Sequence, residues 1–212
     1  MSTLTHWVAR RYGGQAALYE RFTNALEVAG MADIRARLAG DLTGQVLEVG
    51  CGTGLNFPHY PPDTAVTAVE PLDDFRRFAA ERARTVAARV SVYGGDTQAL
   101  PFADGTFDAV LETLVFCSVP DALAGLRELR RVARPGATVR FFEHVRSDVG
   151  WVARLQDVVN PFWSWISDGC NLNRDTLAVI RAAGFSIEQL RIHDLRPART
   201  PRVPMREVHA RA

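Results

Sequence analysis

Hydrophobic positions follow two alternating patterns along the chain: short apolar runs of strand length, and longer stretches in which apolar residues recur at helical spacing. This alternation is typical of a parallel sheet whose strands are connected by helices. The apolar runs predict strands at residues 45–49, 66–69, 90–93, 107–111, 138–142 and 187–192. The pattern therefore predicts an α/β fold.

The helical stretches are bounded by residues that start and stop helices. They lie at residues 18–38, 73–88 and 121–133, with a fourth from a cap at Asn173 to about Gly184. Asp73 and Asp74 suit the unpaired amides and positive dipole of a first turn. Proline and glycine at 135–136 end the third helix before the fifth strand. These signals support the alternation of strands and helices.

Length and composition fit one globular domain. The chain has 212 residues, 47% of them hydrophobic and 23% charged, which is enough to bury a core without disulfides or metals. The hydrophobic pattern lapses over residues 147–172, and a proline-rich stretch at 197–204 interrupts it near the end. We predict a single domain over residues 1–212, with a helical cap at 1–40 and a substrate lid at 147–172.

The charge pattern excludes several classes of partner and chemistry. A formal net charge of +1 gives no electrostatic reason to bind nucleic acid. No apolar run is long enough to span a bilayer, which leaves room only for peripheral contact with a membrane. All 25 basic residues are arginines, so lysine Schiff-base chemistry is excluded. A small-molecule acceptor is the predicted partner, and the oligomeric state stays open.

The cysteines predict neither disulfides nor a zinc motif. Cys51, Cys117 and Cys170 are odd in number and far apart in sequence, without the close paired spacing of a zinc site. The N-terminal residues contain no apolar core of signal-peptide length. We therefore predict reduced thiols, a cytoplasmic location and no metal.

A glycine loop follows the first predicted strand. Gly50, Gly52 and Gly54 come directly after Glu48-Val49, and closely spaced glycines let backbone amides approach a ligand. A dinucleotide-binding loop has G-x-G-x-x-G leading straight into a helix, whereas the third glycine here comes one residue early. The spacing predicts a cofactor loop and disfavours pyrophosphate binding.

This loop resembles the first motif of the class I S-adenosylmethionine-dependent methyltransferases, an acidic residue followed by G-x-G-x-G. Glu48 takes the acidic position. The resemblance implies a Rossmann-like fold, with a seven-stranded, mostly parallel sheet and helices on both faces. It also implies S-adenosylmethionine as cofactor, with S-adenosylhomocysteine as the product.

The same resemblance implies roles for residues at later strand ends. Glu70 would hold both ribose hydroxyls, since two carboxylate oxygens suit two adjacent donors. Leu72 would pack on the adenine, and Asp96 would take the adenine amino group. The full set of predicted cofactor contacts is Tyr12, Glu48, Gly50, Cys51, Gly52, Gly54, Asn56, Glu70, Pro71, Leu72, Asp96, Thr97 and Thr113.

A closer resemblance lies in four segments, at residues 56–61, 113–119, 142–145 and 168–172. They are similar to the methyltransferase-like 7 group, the thiol S-methyltransferases. That resemblance implies a small thiol as acceptor, hydrogen sulfide and alkyl thiols included. The activity would be methyl transfer to sulfur by direct in-line displacement.

Three residues are candidates for acceptor chemistry. His144 follows the fifth strand and titrates near neutral pH, so it is predicted as a base or acceptor-positioning group. Asp168 and Cys170 occupy a tight turn in the lid that would place either one over the acceptor. The alternative interpretations are that His144 is a packed histidine and that the turn holding Asp168 and Cys170 is purely structural. Aromatic residues that would wall the pocket, or else pack in the core, are Tyr12, Tyr19, Trp151, Trp163 and Trp165.

Three other functions stay open at this stage. The first keeps the cofactor but methylates oxygen or nitrogen of a quinone, a lipid head group or a secondary metabolite. The second is an NAD(P)-binding oxidoreductase, in which Glu70 would hold a nicotinamide ribose. The third is a binding protein that kept the cofactor pocket and lost catalysis.

Overall fold

The computed structural model describes residues 15–167, 169–195 and 203–212. They form one seven-stranded sheet in the order β3-β2-β1-β4-β5-β7-β6. The strands are β1 Gln45–Val49, β2 Ala65–Val69, β3 Arg89–Tyr93, β4 Phe107–Thr113, β5 Ala133–His144, β6 Ser186–Leu195 and β7 Val203–Arg211. β1 to β5 pair in parallel, and β7 is antiparallel to both β5 and β6. The predicted sheet, seven-stranded and mostly parallel, is confirmed.

Helices cover both faces of the sheet. They are α1 Gln15–Leu26, α2 Ala32–Ala39, α3 Asp73–Ala83, α4 Ala122–Val132, α5 Gly150–Ile166 and α6 Thr176–Ala182. No helix among the described residues combines the length and the apolar character needed to cross a lipid bilayer.

Two hydrophobic cores lie on opposite faces of the sheet, because successive side chains of a strand point to opposite sides. Val46 belongs to one core and its neighbour Leu47 to the other, and Phe142 and Phe141 divide in the same way. The core containing Leu47 includes residues of α4 and α6, whereas that containing Val46 includes residues of α2 and α3. Burial on both faces of the sheet fixes the register of the strands. This register places the carboxyl ends of the parallel strands at one edge of the sheet.

The N-terminal helix predicted over 18–38 is interrupted. A π-helical turn, Glu27–Met31, separates α1 from α2, and Gly30 within it has a φ of +112°. A positive φ is costly for residues other than glycine. One continuous helix was therefore wrong, and the glycine marks the bend.

Three further differences from the sequence predictions lie at the C-terminal side. The stretch 147–172, predicted from its lapsed pattern, contains the 17-residue helix α5. β7 was not predicted, since it begins inside the proline-rich stretch at Val203. The cap of α6 is Asp175, whose carboxylate accepts from Ala178 N at 3.1 Å, and not Asn173.

Candidate active site

The glycine loop leaves open space beside one of its residues. Gly50, Gly52 and Gly54 have φ values of +57°, +58° and +81°. A Cβ at Gly50 would lie 2.5 Å from Val115, and one at Gly54 would lie 2.5 Å from Phe57. At Gly52 the nearest atom would be 3.9 Å away. The loop is therefore packed on two sides and accessible at Gly52, which suits the approach of a ligand to the backbone.

Glu70 faces this opening from the end of β2. Its two oxygens accept from Gly52 N and Leu72 N, each at 3.0 Å. Burial raises the pKa of this carboxyl group, and the two amides oppose the shift. Each oxygen keeps a second lone pair, so Glu70 retains two acceptor positions for adjacent hydroxyl donors.

A buried polar network lies beneath the loop. Glu48 is 1% exposed and accepts from Tyr60 Oη at 2.7 Å and from Asn56 Nδ2 at 3.0 Å. Arg35 donates to Asn56 Oδ1 at 2.8 Å and to Thr113 Oγ1 at 3.2 Å. Burial raises the pKa of Glu48 to about 7, against the lowering effect of its donors. Glu48 and Asn56 therefore support the loop from below.

The remaining predicted cofactor residues lie at neighbouring strand ends. Asp96 follows β3, is exposed, and accepts from Gln98 N at 2.9 Å. Thr97 is buried beside α4, where a Cβ at Gly125 would be 3.5 Å from its methyl group. Cys51 is buried within the loop, and its amide donates to Val69 O at 3.2 Å. Pro71 is exposed next to Glu70.

Tyr19 of α1 lies near the glycine loop, because it packs on Phe75, the side chain nearest to the open side of Gly52. Its ring packs on Phe75 with a centroid distance of 5.3 Å. Burial raises the pKa of its hydroxyl, Arg35 lowers it, and the charges of Cys117 and Glu70 raise it further.

Sulfur and imidazole groups cluster at the ends of β4 and β5. His144 Nε2 is 3.0 Å from Cys170 Sγ, and Trp163 Nε1 donates to the same sulfur at 3.4 Å. Cys117 is the third member of the cluster. Its Sγ, the Sγ of Cys170 and a ring nitrogen of His144 all lie within 4.8 Å of one another. The hydrogen bond with Cys117 has the largest effect on the pKa of Cys170 and lowers it, and the hydrogen bond with His144 lowers it further. Burial acts in the opposite direction, and the resulting pKa is about 4. Burial alone would lower the pKa of His144, but Cys170 raises it.

The main chain around Cys117 is held on both sides. Asn171 donates to Cys117 O through its backbone N at 2.9 Å and through Nδ2 at 3.1 Å. Arg174 donates to the carbonyls of Phe116 and Val119. Leu114, at the end of β4, has a φ of +61°, an unfavourable conformation for leucine that costs about 1–3 kcal/mol. The segment after β4 is thus fixed despite a strained residue.

A pair of buried carboxyl groups supports the same segment. Glu143 accepts from the backbone amides of Val115 and Phe116, and Glu112 accepts from Phe142 N at 3.1 Å. Burial, followed by the charge of Glu143, raises the pKa of Glu112 well above its ordinary value. Burial also raises the pKa of Glu143, and hydrogen bonds from Glu112 and the two amides oppose that shift.

Several predicted residues come together and others do not. Tyr12 and Asp168 lie outside the described residues. Trp163 donates to Cys170 Sγ and is 37% exposed, and Trp151 and Trp165 are 71% and 52% exposed. That these tryptophans wall the pocket stays a prediction. Cys117 and Arg35 were not predicted as site residues, because a cysteine near a strand and one arginine among many carry no local signal.

Comparisons with known proteins agree with this geometry. Residues 47–141 match the family described as a methyltransferase domain. Human thiol S-methyltransferase TMT1A is 40% identical over 172 residues, covering 79% of this chain and 66% of the human protein. A phosphatidylethanolamine N-methyltransferase of Cereibacter sphaeroides is 32% identical over 130 residues, covering 59% of this chain and 64% of that protein.

Solved structures show the same fold. An S-adenosylmethionine-dependent methyltransferase of Methanosarcina mazei superposes with a TM-score of 0.64 at 18% identity, covering 80% of this chain and 92% of that one. The chain spans 61–66% of the length of the human and rodent thiol S-methyltransferases that it matches.

The sheet order, the glycine loop and the matched domain are those of the class I S-adenosylmethionine-dependent methyltransferases, which implies S-adenosylmethionine as the cofactor. The sequence is similar to the human thiol S-methyltransferases TMT1A and TMT1B, at 40% and 41% identity. The resemblance inferred from the motifs is confirmed at both levels, and the nicotinamide oxidoreductase alternative is set aside.

Proposed function

We propose that this protein transfers a methyl group from S-adenosylmethionine to the sulfur of a small thiol. The observation that carries the proposal is the position of Cys117, His144 and Cys170, which lie at the same sheet edge as the glycine loop. Ligands of open α/β sheets bind at this edge. The names of the human and rodent relatives support sulfur as the acceptor atom.

The cofactor half of the site fits an adenosyl ligand. Gly52 is open on its Cβ side, and Glu70 keeps two acceptor positions beside it. We propose that Glu70 holds the ribose hydroxyls and that Asp96, exposed after β3, accepts from the adenine amino group. When bound, S-adenosylmethionine supplies an electrophilic methyl carbon on a sulfonium centre.

The acceptor half lies between Tyr19 and the sulfur–imidazole cluster. We propose that His144 and Cys170 hold the acceptor sulfur at this end, and that α5, through Trp163, limits the entry of water. Proximity and orientation in such a site are worth roughly 7–11 kcal/mol of the barrier. We also propose that Asp168 helps to position the acceptor.

The test is methylation of an acceptor panel by the purified protein, with products identified by mass spectrometry. We expect methylated product from sulfide and short alkyl thiols. We expect none from phenols, quinones or phosphatidylethanolamine. The reverse pattern would reject a thiol acceptor and favour the oxygen or nitrogen alternative, which the Cereibacter sphaeroides relative represents.

A variant pair links the activity to the site. His144→Ala removes a ring within 3.0 Å of Cys170 and should lower thiol methylation by at least about tenfold, the smaller end of what a positioned proton-transfer group contributes. Its matched control is His59→Ala, a half-buried histidine of the turn after the glycine loop. Equal loss in both variants would remove His144 from the acceptor site.

A reducing compartment suits this chemistry. Cys51, Cys117 and Cys170 are all free in the structure, and thiolates are the reactive form toward electrophiles and metals. We therefore propose a cytoplasmic location and a small-molecule thiol as the partner. Measurement of the thiol content after lysis under acid-trapping conditions would check whether the three cysteines are reduced in the cell.

A further inference from the structure

Two cysteines and one histidine converge here although they are far apart in the chain. Cys117 follows β4, His144 ends β5 and Cys170 follows α5. Their three ligand atoms lie within 4.8 Å of one another. In a tetrahedral zinc site with bonds of about 2.3 Å to sulfur and 2.0–2.1 Å to nitrogen, neighbouring ligand atoms are roughly 3.3–3.8 Å apart. The cluster is therefore close to metal-binding dimensions.

We propose that Cys117, His144 and Cys170 form a Zn²⁺ site with one open coordination position. Two thiolates and one imidazole are a donor set known from catalytic zinc sites, in which the fourth position is left to substrate. Thiolates select soft or borderline metals, and imidazole suits zinc. This proposal deepens the proposed function, on which its substrate assignment depends.

The residues around the cluster orient the ligands. Asn171 fixes the Cys117 carbonyl with two hydrogen bonds, and Arg174 fixes the carbonyls of Phe116 and Val119 on either side. Trp163 donates to Cys170 Sγ at 3.4 Å, as outer partners of metal-bound sulfur do. Cys117 and Cys170 are thus held in place by bonds that a metal would not displace.

Two of the three proposed ligands are buried, and the third is partly accessible. Cys117 is 3% and His144 9% exposed, while Cys170 is the more accessible ligand. A metal could enter from the side of Cys170.

Such an ion would activate the acceptor directly. The thiol RSH binds at the open position as a thiolate and releases its proton to solvent, since metal coordination favours the deprotonated sulfur. The thiolate sulfur then forms a bond to the methyl carbon while the bond from that carbon to the sulfonium sulfur breaks. The electron pair of the broken bond stays on S-adenosylhomocysteine. The product RSCH₃, a neutral thioether, is a weaker ligand than the thiolate and leaves.

The test is metal binding by the reduced, untagged full chain under argon. We expect one Zn²⁺ per chain. We expect Co²⁺ to bind with sulfur-to-cobalt charge-transfer absorption and the intense d–d bands of a tetrahedral site. Cys170→Ser and Cys117→Ser should each lower the Zn²⁺ affinity by more than about 100-fold, which exceeds the effect of losing an outer partner.

Cys51→Ser is the matched control, because Cys51 is the third buried cysteine and lies in the glycine loop outside the cluster. It should keep the cobalt spectrum. Circular dichroism shows whether each variant is folded. Should an alteration at 117 or 170 prevent folding, Asn171→Ala, which removes one bond to Cys117 O, should still lower the affinity about 10- to 100-fold.

The proposal is overturned if the folded, fully reduced wild-type chain binds neither Zn²⁺ nor Co²⁺, or if it binds only Cu⁺. It is also overturned if Cys51→Ser loses the cobalt bands as completely as Cys170→Ser. Thiol methylation by metal-free protein at the full rate would reject the zinc site and leave the proposed function intact. Tight Zn²⁺ binding without methylation of any thiol would leave the metal site intact and reject the thiol acceptor.

Discussion

Individual side chains at the site differ in how much of their hydrogen-bonding capacity the protein itself uses. Both oxygens of Glu48 accept from buried side chains of the protein. Glu70 accepts only from backbone amides at the edge of an opening. The two carboxyl groups were predicted from the same kind of evidence, an acidic residue at a strand end. The structure places Glu48 beneath the glycine loop and Glu70 beside the open side of Gly52, and the contact of Glu70 with the cofactor stays a prediction.

Glu70→Ala should therefore weaken the binding of S-adenosylhomocysteine. Hydrogen bonds to a charged group are worth about 1.5–3 kcal/mol each, so we expect a loss of at least about tenfold in affinity. Isothermal titration calorimetry measures it. Glu81→Ala, at an exposed glutamate of α3, should bind as the wild type does; unchanged binding by Glu70→Ala would show that this carboxylate does not contact the cofactor.

Glu48 predicts a pH dependence of stability. Burial raises its pKa from 4.5 to about 7, so between these values the folded protein binds a proton that the unfolded chain has released. The free energy of unfolding contributed by Glu48 is thus highest below about pH 4.5 and is lost as pH rises through 7, by about 3 kcal/mol in total.

Glu48→Gln cannot ionise and should lack this loss. We expect the variant to become more stable relative to the wild type as pH rises from 5 to 8. Urea unfolding at several pH values, with the wild-type curve subtracted, isolates the contribution of this one group. Parallel curves across the range would mean that Glu48 has an ordinary pKa in the folded state.

At the scale of elements, the residues of α5 explain why the sequence pattern did not predict this helix. Its buried side rests on a small residue, Ala153, which is 2% exposed, while Trp151, Val158 and Phe162 are 71%, 78% and 63% exposed. Large apolar residues on the exposed side do not match the polar exposed face expected of a helix that packs on a core. Pro161 inside it adds a helix-breaking signal. Contact with the strand ends, and not sequence periodicity, decides that this segment is ordered over the site.

The two sides of α5 should respond differently to charge. Ala153→Asp places an unpaired carboxylate in a buried position and should lower the free energy of unfolding by at least about 2 kcal/mol. Val158→Asp, in the same helix but exposed, should change it by no more than about 0.5 kcal/mol. Chemical denaturation of both variants checks this, and equal destabilisation would mean that the exposed side is covered in solution.

At the scale of the whole molecule, both hydrophobic cores share one sheet. β5 links the two parts of that sheet, since it pairs in parallel with β4 and antiparallel with β7. Neither core can lose its strands without exposing the other. The single domain predicted from length therefore remains our expectation for how the chain unfolds.

We expect thermal unfolding in one transition, with equal calorimetric and van't Hoff enthalpies. S-adenosylhomocysteine at 100 times its Kd should add about 2.7 kcal/mol of stability, which corresponds to a rise in Tm of roughly 5–10 °C for a chain of this size. Differential scanning calorimetry measures both. Two separate transitions, with only one shifted by the ligand, would indicate that the cap or the lid unfolds independently.

The sequence by itself determined the parallel sheet and the cofactor loop, and its resemblance to the class I methyltransferases implied the cofactor class. The sheet and the loop follow from local signals: strand-length apolar runs, glycines that allow positive φ, and carboxylates placed directly after strands. Glu70 and Gly52 could be identified because backbone conformation and strand position are encoded within a few residues.

Only the tertiary structure brought Cys117, His144 and Cys170 together, added β7 to the sheet and ordered α5. Each of these depends on contacts between residues far apart in the chain. Cys117 and Cys170 are 53 residues apart in the numbering of the chain, so no local spacing rule could join them. Their meeting is set by the register of β4 and β5 and by the bonds of Asn171 and Arg174. The chemistry of the acceptor site is therefore decided by packing at the sheet edge, because proximity there is created by folding and not by sequence spacing.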